Sequence, residues 1–322
     1  MAIASLFGCT SLQPRLPLLT TASNAGAAIA LSAQRRPADR ERRGSWIAPE
    51  ATGQDLLYIS DNDSVAIYSY PQGKLEGTLK GGFYLATGEC VDKSGDVFVV
   101  NVGNAKIFEY AHGGTKRLAT LDSPTSDPVG CAVDPISGNL AVASEGFGSS
   151  ATVSVFKNAR GKPTLYEDKD FYQFYFCGYD DEGNLFVDGL SAAGSGHFAL
   201  AELPQGQSNL SDIAVDQYVR FPGGVQWDGK YLAIGDQFDD VYEFSINAGK
   251  GSIAGTTELG SRARYVKQFW IQGGTIIAPN VYIKGQARSN VLIYNYPAGG
   301  KATQKITDGI KDAQGAVVSP AS

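Results

Sequence analysis

Histidine occurs twice, methionine once and cysteine four times in 322 residues. His112 sits in the turn Ala-His-Gly-Gly, so a histidine zinc site or a Ser-His-Asp triad would have to rest on His197 alone. No apolar run approaches the ~18 residues that a membrane-spanning helix needs. Gly113-Gly114 lacks the strand, helix and spacing of a phosphate loop, so no nucleotide or other cofactor is expected. Lysine is missing from residues 1–50, where six Arg stand against three acids. Residues 51–322 are left with 21 basic and 30 acidic side chains, a net of −9. That excess of negative charge argues against a nucleic-acid partner, whose affinity comes from neutralising phosphates.

What is abundant is turn and ring: 39 Gly, 14 Pro, 16 Tyr and 15 Phe, with 43% of residues hydrophobic. Such a chain suits one large all-β domain. Residues 21–46 are mostly Ala, Ser, Arg and Gly without strand or helix period, and residues 1–50 read as a disordered leader ahead of a domain at 51–322. Leu6-Phe7-Gly8-Cys9 resembles a bacterial lipobox, which implies an exported or lipid-anchored protein. Only seven residues lie between Met1 and Cys9, none of them basic, and an export signal needs a basic start and a longer apolar stretch; a cytoplasmic location is the alternative.

A repeat sets the fold. Five turns recur: Asp92-Lys-Ser-Gly-Asp, Asp134-Pro-Ile-Ser-Gly-Asn, Asp180-Asp-Glu-Gly-Asn, Asp228-Gly-Lys and Gln272-Gly-Gly, at intervals of 42 to 48 residues. Gly supplies the positive φ of a tight hairpin, and the neighbouring Asp bonds its own backbone. After each turn comes a β-branched strand (97–101, 140–144, 185–189, 231–235, 275–279), matched upstream by 56–60. A third strand with alternating aromatics follows, then a short fourth. Four strands per repeat is a propeller blade. The expectation is a six-bladed β-propeller of four-stranded blades, in which Gly315–Ser319 supplies the innermost strand of the blade begun at Leu56 and so removes an open sheet edge.

An inner strand ending in Asp, a Gly turn, and strands such as Val-Phe-Val-Val-Asn and Lys-Ile-Phe-Glu-Tyr resemble the NHL and YVTN propeller families over residues 55–322. Six blades also resemble the senescence-marker-protein/gluconolactonase superfamily. Phe221-Pro-Gly-Gly-Val-Gln-Trp-Asp and Gln268-Phe-Trp-Ile-Gln-Gly are similar to segments of uncharacterised, often exported bacterial propellers. The resemblance implies a fold. The families it spans include lactonases, lyases, and binding or scaffolding proteins, so it does not assign an activity.

In a propeller the Asp-Gly turns share the bottom end, and the loops into each inner strand share the top. Those top loops carry Tyr84, Phe147, Phe171, Tyr172, Phe174, Tyr175, Tyr218, Arg220, Phe221, Gln237, Phe238, Arg264, Tyr265, Tyr282 and Arg288. Aromatic platforms with a few Arg suit glycans or peptides. The expected ligand-binding residues are Tyr172, Tyr175, Tyr218, Arg220 and Tyr265, in a monomeric, non-catalytic binding protein. The competing reading makes Phe171–Phe176 an inter-blade core strand. An enzymatic alternative uses Asp61, Asn101, Glu145, Asp188, Asp236 and Asn280, which recur just after the second strands. Gluconolactonase-like propellers hold a divalent metal with such oxygens, whereas Asx residues equally cap strands by bonding nearby backbone. No metal is expected. Cys131 and Cys177 stand at the same repeat position and face the same way, with Cys90 facing the other. Buried free thiols are expected, with a Cys131–Cys177 disulfide as the alternative.

Overall fold

The computed structural model describes residues 44–146, 151–193, 196–238, 240–260, 265–281 and 289–321. The turn-punctuated, β-branched runs form strands within two residues of their expected bounds. The first sheet holds β1 (Trp46–Ile47), β2 (Leu56–Asp61), β3 (Ser64–Ser69) and β4 (Leu75–Lys80). Thus Trp46 and Ile47, in the stretch read as leader, pair with β4 at Thr78 and Gly77. The second sheet is β5 (Ala86–Val91), β6 (Val97–Asn101), β7 (Lys106–Tyr110) and β8 (Arg117–Asp122). The third is β9 (Pro128–Val133), β10 (Leu140–Ser144), β11 (Thr152–Phe156) and β12 (Thr164–Tyr166).

The next eight strands form one sheet where six separate blades would give two. These are β13 (Phe171–Tyr179), β14 (Leu185–Ser191), β15 (Phe198–Leu203), β16 (Ser211–Val215), β17 (Pro222–Trp227), β18 (Leu232–Asp236), β19 (Val241–Asn247) and β20 (Lys250–Thr257). Their order is β13-β14-β15-β16-β20-β19-β18-β17. The join is a parallel pairing of Ala214 with Lys250 and Val215 with Gly251. It arises because the β19–β20 hairpin runs on to Lys250 and reaches the outer edge of β16, where Asp216 also accepts from the Ile253 N–H at 2.8 Å. Each outer strand covers the other's exposed edge.

The last sheet is β21 (Trp270–Gln272), β22 (Thr275–Asn280), β23 (Asn290–Asn295) and β24 (Gln304–Ile306). The final strand, β25 (Gly315–Ser319), returns to the first sheet and pairs antiparallel with β2, Leu56 facing Ser319 and Ser60 facing Gly315. The innermost strands β25, β5, β9, β13, β17 and β21 touch in succession, and β21 returns to β25. This is an all-β, propeller-like fold with four-stranded blades.

Apolar side chains fill the spaces between neighbouring sheets. Tyr58, Val99 and Phe108 pack between the first and second, and Phe176, Leu232 and Phe244 within the eight-stranded sheet. Near the axis the inner strands approach so closely that a side chain would not fit at some positions. A Cβ on Gly130 would stand 2.9 Å from the Tyr175 carbonyl oxygen of the next inner strand.

The cysteines depart from expectation. Cys90 and Cys131 form a disulfide with Cα atoms 5.7 Å apart, and Cys177 is a buried free thiol. Strand alternation explains it. Cys131 and Cys177 occupy equivalent positions on successive inner strands and both point back toward the preceding blade, so neither can meet the other. Cys90, of opposite parity, points forward and meets Cys131. The residue that meets Cys177 is Ala132, the counterpart of Cys90 one blade on.

Candidate functional site

The expected site residues divide by what the alternation of β13 does with them. Phe171 and Phe174 stack at 4.5 Å in the core beside β10, while Tyr175 and Phe176 turn into the opposite core. Two register shifts in β13, between Phe171 and Gln173 and between Phe174 and Cys177, make that division possible, and Tyr172 is left 45% exposed. The segment Phe171–Phe176 is therefore mostly core, with Tyr172 at the surface.

From Tyr175 a chain of rings crosses the top end. The Tyr175 ring meets Phe221 edge-on at 5.2 Å, Phe221 meets Phe238 at 6.0 Å, and Phe238 meets Tyr265 at 5.1 Å. Phe221 leads into β17, Phe238 follows β18 and Tyr265 precedes β21, so three loops of two successive repeats join Tyr175 of β13. Two cations flank the chain. The Arg220 guanidinium lies 5.0 Å from the Phe238 ring, and the Lys267 ammonium 6.0 Å from the Tyr265 ring. Arg220 and Phe238 are exposed, Phe221 and Tyr265 half-buried and Tyr175 buried. Of the five expected residues, Tyr175, Arg220 and Tyr265 thus join one array, and Tyr172 lies within electrostatic reach of Tyr175. Tyr218 stands apart, 74% exposed, its carbonyl accepting from the Gln217 side chain. Phe147, Arg264, Tyr282 and Arg288 lie outside the described residues.

Beneath the rings is a charged floor. Burial pushes the Glu145 carboxyl up to about 7, against the opposing pull of Lys267. Burial lowers Lys267, whose charge Glu145 and Asp312 favour. Burial first, and then the Glu145 charge, pushes the Tyr175 and Tyr265 hydroxyls well up, which keeps both as neutral donors. The array offers the Phe238 face, the Arg220 guanidinium and the Tyr265 hydroxyl, while the Tyr175 hydroxyl is spent on Gln173 Oε1 at 3.2 Å and Lys267 lies buried behind Tyr265. The sequence reading passed over Lys267; the signal was a lysine inside the apolar run Tyr265-Val-Lys-Gln-Phe-Trp, a position that lysine rarely takes without a partner.

The ring of oxygen residues serves another purpose. Asn101 Oδ1 accepts from the Tyr84 N–H at 2.6 Å, Asp188 Oδ1 from Phe176 at 2.8 Å, and Asp236 from Arg220 at 2.5 Å and Phe238 at 3.0 Å. Asp61 accepts from Lys311 and Asp312. Except for the Phe238 N–H, which closes a turn after β18, these bonds tie the second strand to backbone that enters, or lies within, the inner strand of the same repeat. Asn280 donates to Asn290 at 3.2 Å. Backbone N–H groups aimed at these oxygens match the strand-capping role of Asx residues. Among the described residues the one close trio of metal-ligating side chains is Asp168, Asp170 and Asp212, two of them exposed.

The two histidines sit in different surroundings. His197 is exposed. His112 Nδ1 lies 2.7 Å from Ser319 Oγ, whose own hydrogen goes to the Gly95 carbonyl at 2.6 Å, so the imidazole donates to this serine and does not activate it.

No family model matches the chain, and no curated protein sequence matches it. Solved structures do. A chain from the nidogen/laminin complex superposes with a TM-score of 0.68 at 12% identity, covering 83% of this chain and 99% of that one. A protein of unknown function from Bacteroides caccae gives 0.61 at 12% identity, with 82% and 98% covered. At such identity the likeness establishes the β-propeller fold. Among the described residues no helix is long and apolar enough to cross a membrane.

Proposed function

We propose that this chain is a non-catalytic propeller that binds a glycan or peptide through its top-end loops. The observation that carries the reading is the continuous array Tyr175–Phe221–Phe238–Tyr265, flanked by Arg220 and Lys267. Stacked and edge-on rings with an exposed cationic donor beside them provide contact area and orientation without a nucleophile. Tyr172 and Tyr218 extend the contact surface outward as exposed rings. A binding role also agrees with the superposable chain from a complex of nidogen with laminin.

The binding unit is residues 51–322, a monomer of six blades. The eight-stranded sheet counts as two blades, of an NHL- or YVTN-like propeller, joined at their outer edges by two residue pairs. The protein acts outside the cytoplasm, free or anchored through Cys9. The Cys90–Cys131 disulfide supports that location, since such bonds persist in oxidising compartments. The test is a screen of the purified protein on glycan and peptide arrays. Saturable binding to one class, lost in a Tyr265→Ala/Arg220→Ala variant, supports the proposal; binding to neither class, or binding indifferent to that variant, contradicts it.

A further inference from the structure

At the opposite end of the axis the inner strands β5, β9, β13 and β17 and the segment 268–270 surround a cavity of about 200 Å³. Its wall carries three half-buried aromatic side chains from successive repeats: Tyr179, Trp227 and Trp270. Asp181 stands at its rim, exposed, with one carboxylate oxygen accepting from Trp227 Nε1 at 2.9 Å. A second cavity shares Val91, Val133 and Pro135 with it and runs out between the turns at Asp92–Ser94 and Asp134–Gly138, so the two form one trough.

Most side-chain donors in the axial cavity are already in use. The Gln226 amide is spent on the Ile271 backbone, at 2.9 and 2.7 Å, and the Gln268 amide on the Glu89 backbone, at 2.7 and 2.8 Å. The Trp270 indole N–H goes to Gln272 at 3.1 Å and that of Trp227 to Asp181. Both indole N–H groups are committed and each amide has a backbone partner, while the Tyr179 hydroxyl, the second Asp181 oxygen and the indole faces remain. A neutral sugar would find rings but few donors to meet its oxygens. A flat cation, itself a donor, would find a carboxylate and π faces. The nearby Lys230 ammonium does not supply that cation, because it lies 4.5 Å over the Tyr231 ring.

We propose that this axial cavity is a second binding site, distinct from the top-end array, that takes an arginine side chain of an extended peptide. The guanidinium stacks on Trp227 and Trp270 and pairs with Asp181, and the flanking peptide follows the trough toward the Asp92 and Asp134 turns.

The test uses the full chain carrying Trp46→Phe, which removes the exposed tryptophan remote from the cavity, and follows the fluorescence of the remaining indoles. The probes are Nα-acetylargininamide and its neutral isostere Nα-acetylcitrullinamide. The arginine probe should give a saturable change in the millimolar range expected of a single side chain, weakened by salt. Asp181→Asn, which still accepts from Trp227, should weaken it about tenfold by removing the charge-assisted bond. Tyr265→Ala should leave it unchanged, so that failure here is separable from failure of the top-end reading. Equal binding of the citrulline probe, no saturable response to the arginine probe, or loss on Tyr265→Ala would each overturn the proposal.

Discussion

The side-chain amide of Gln268 closes two hydrogen bonds on the backbone of Glu89, 179 residues away: its Nε2 donates to the Glu89 carbonyl at 2.7 Å and its Oε1 accepts the Glu89 N–H at 2.8 Å. The amide passes β25, where a Cβ on Gly315 would stand 2.5 Å from that Oε1. Three segments distant in sequence meet here, and β25 must seat before the bridge has its final surroundings. Gln268→Ala should cost about 2–4 kcal/mol, because two buried backbone groups lose their partners. Gly315→Ala should destabilise through the same bridge, whereas Gln207→Ala, on an exposed turn, should stay within about 0.5 kcal/mol. Urea denaturation of the three variants measures this.

Strand closure makes a larger prediction. Deleting residues 314–322 removes β25, its pairing with β2, and the Ser319 hydroxyl that links Gly95 and His112. It leaves the edge of β2 open. Deleting residues 1–43 leaves Ser45 and its bond to the Lys80 N–H at 2.8 Å in place. Thermal melting should show a far lower midpoint for the first truncation than for the second, and equal midpoints would count against closure through β25.

Much of this was legible in the sequence. The Asp-Gly turns and β-branched runs placed the second strands to within two residues, because hairpin chemistry and period-2 alternation are local. The matching of Gly315–Ser319 to the other inner strands anticipated the pairing with β2. The joining of β16 to β20 was not legible, since two residues of parallel pairing depend on how far one hairpin extends. The cysteines show the same boundary. Sequence parity correctly set Cys90 opposite to Cys131 and Cys177, but that strands of adjacent blades meet through residues of opposite parity is a property of packing. At the top end, rings could be enumerated from sequence, while the selection of Phe221 and Phe238 as the links between Tyr175 and Tyr265 needed coordinates. Lys267 emerged the same way.

The disulfide closes a loop with a sequence separation of 41, for which chain entropy gives about 4 kcal/mol. Cys90→Ser/Cys131→Ser should lose stability of that order, and non-reducing peptide mapping should recover Cys90 joined to Cys131. In the native protein Cys177 should resist thiol reagents, since burial pushes its thiol up and away from the reactive thiolate. A Cys131–Cys177 peptide, or rapid labelling of Cys177, would contradict this arrangement.

Glu145 gives a pH signature. Burial raises its carboxyl from 4.5 to about 7 in the folded chain, so between those values the folded state holds a proton that the unfolded state has released. This carboxyl therefore subtracts stability progressively as pH rises through that window, and the loss is complete above about 7. Glu145→Gln removes the titration. Relative to the parent, the variant should be more stable at pH 8 than at pH 5, by up to about 2 kcal/mol. A difference that does not vary between the two, measured by urea denaturation, would mean that the carboxyl titrates normally.

The most direct test of the central claim is affinity for the glycan or peptide identified by array, compared across Tyr265→Ala, Phe238→Ala, Arg220→Ala, Lys93→Ala and Glu182→Ala by calorimetry. The first three change the top-end array and the last two lie in turns at the other end. A true aromatic anchor should cost about 2 kcal/mol or more on truncation, roughly a thirtyfold loss of affinity, with Lys93 and Glu182 near neutral. Affinity retained in the Tyr265 and Phe238 variants, or lost equally in the Lys93 and Glu182 variants, would contradict the assignment of function to the top end.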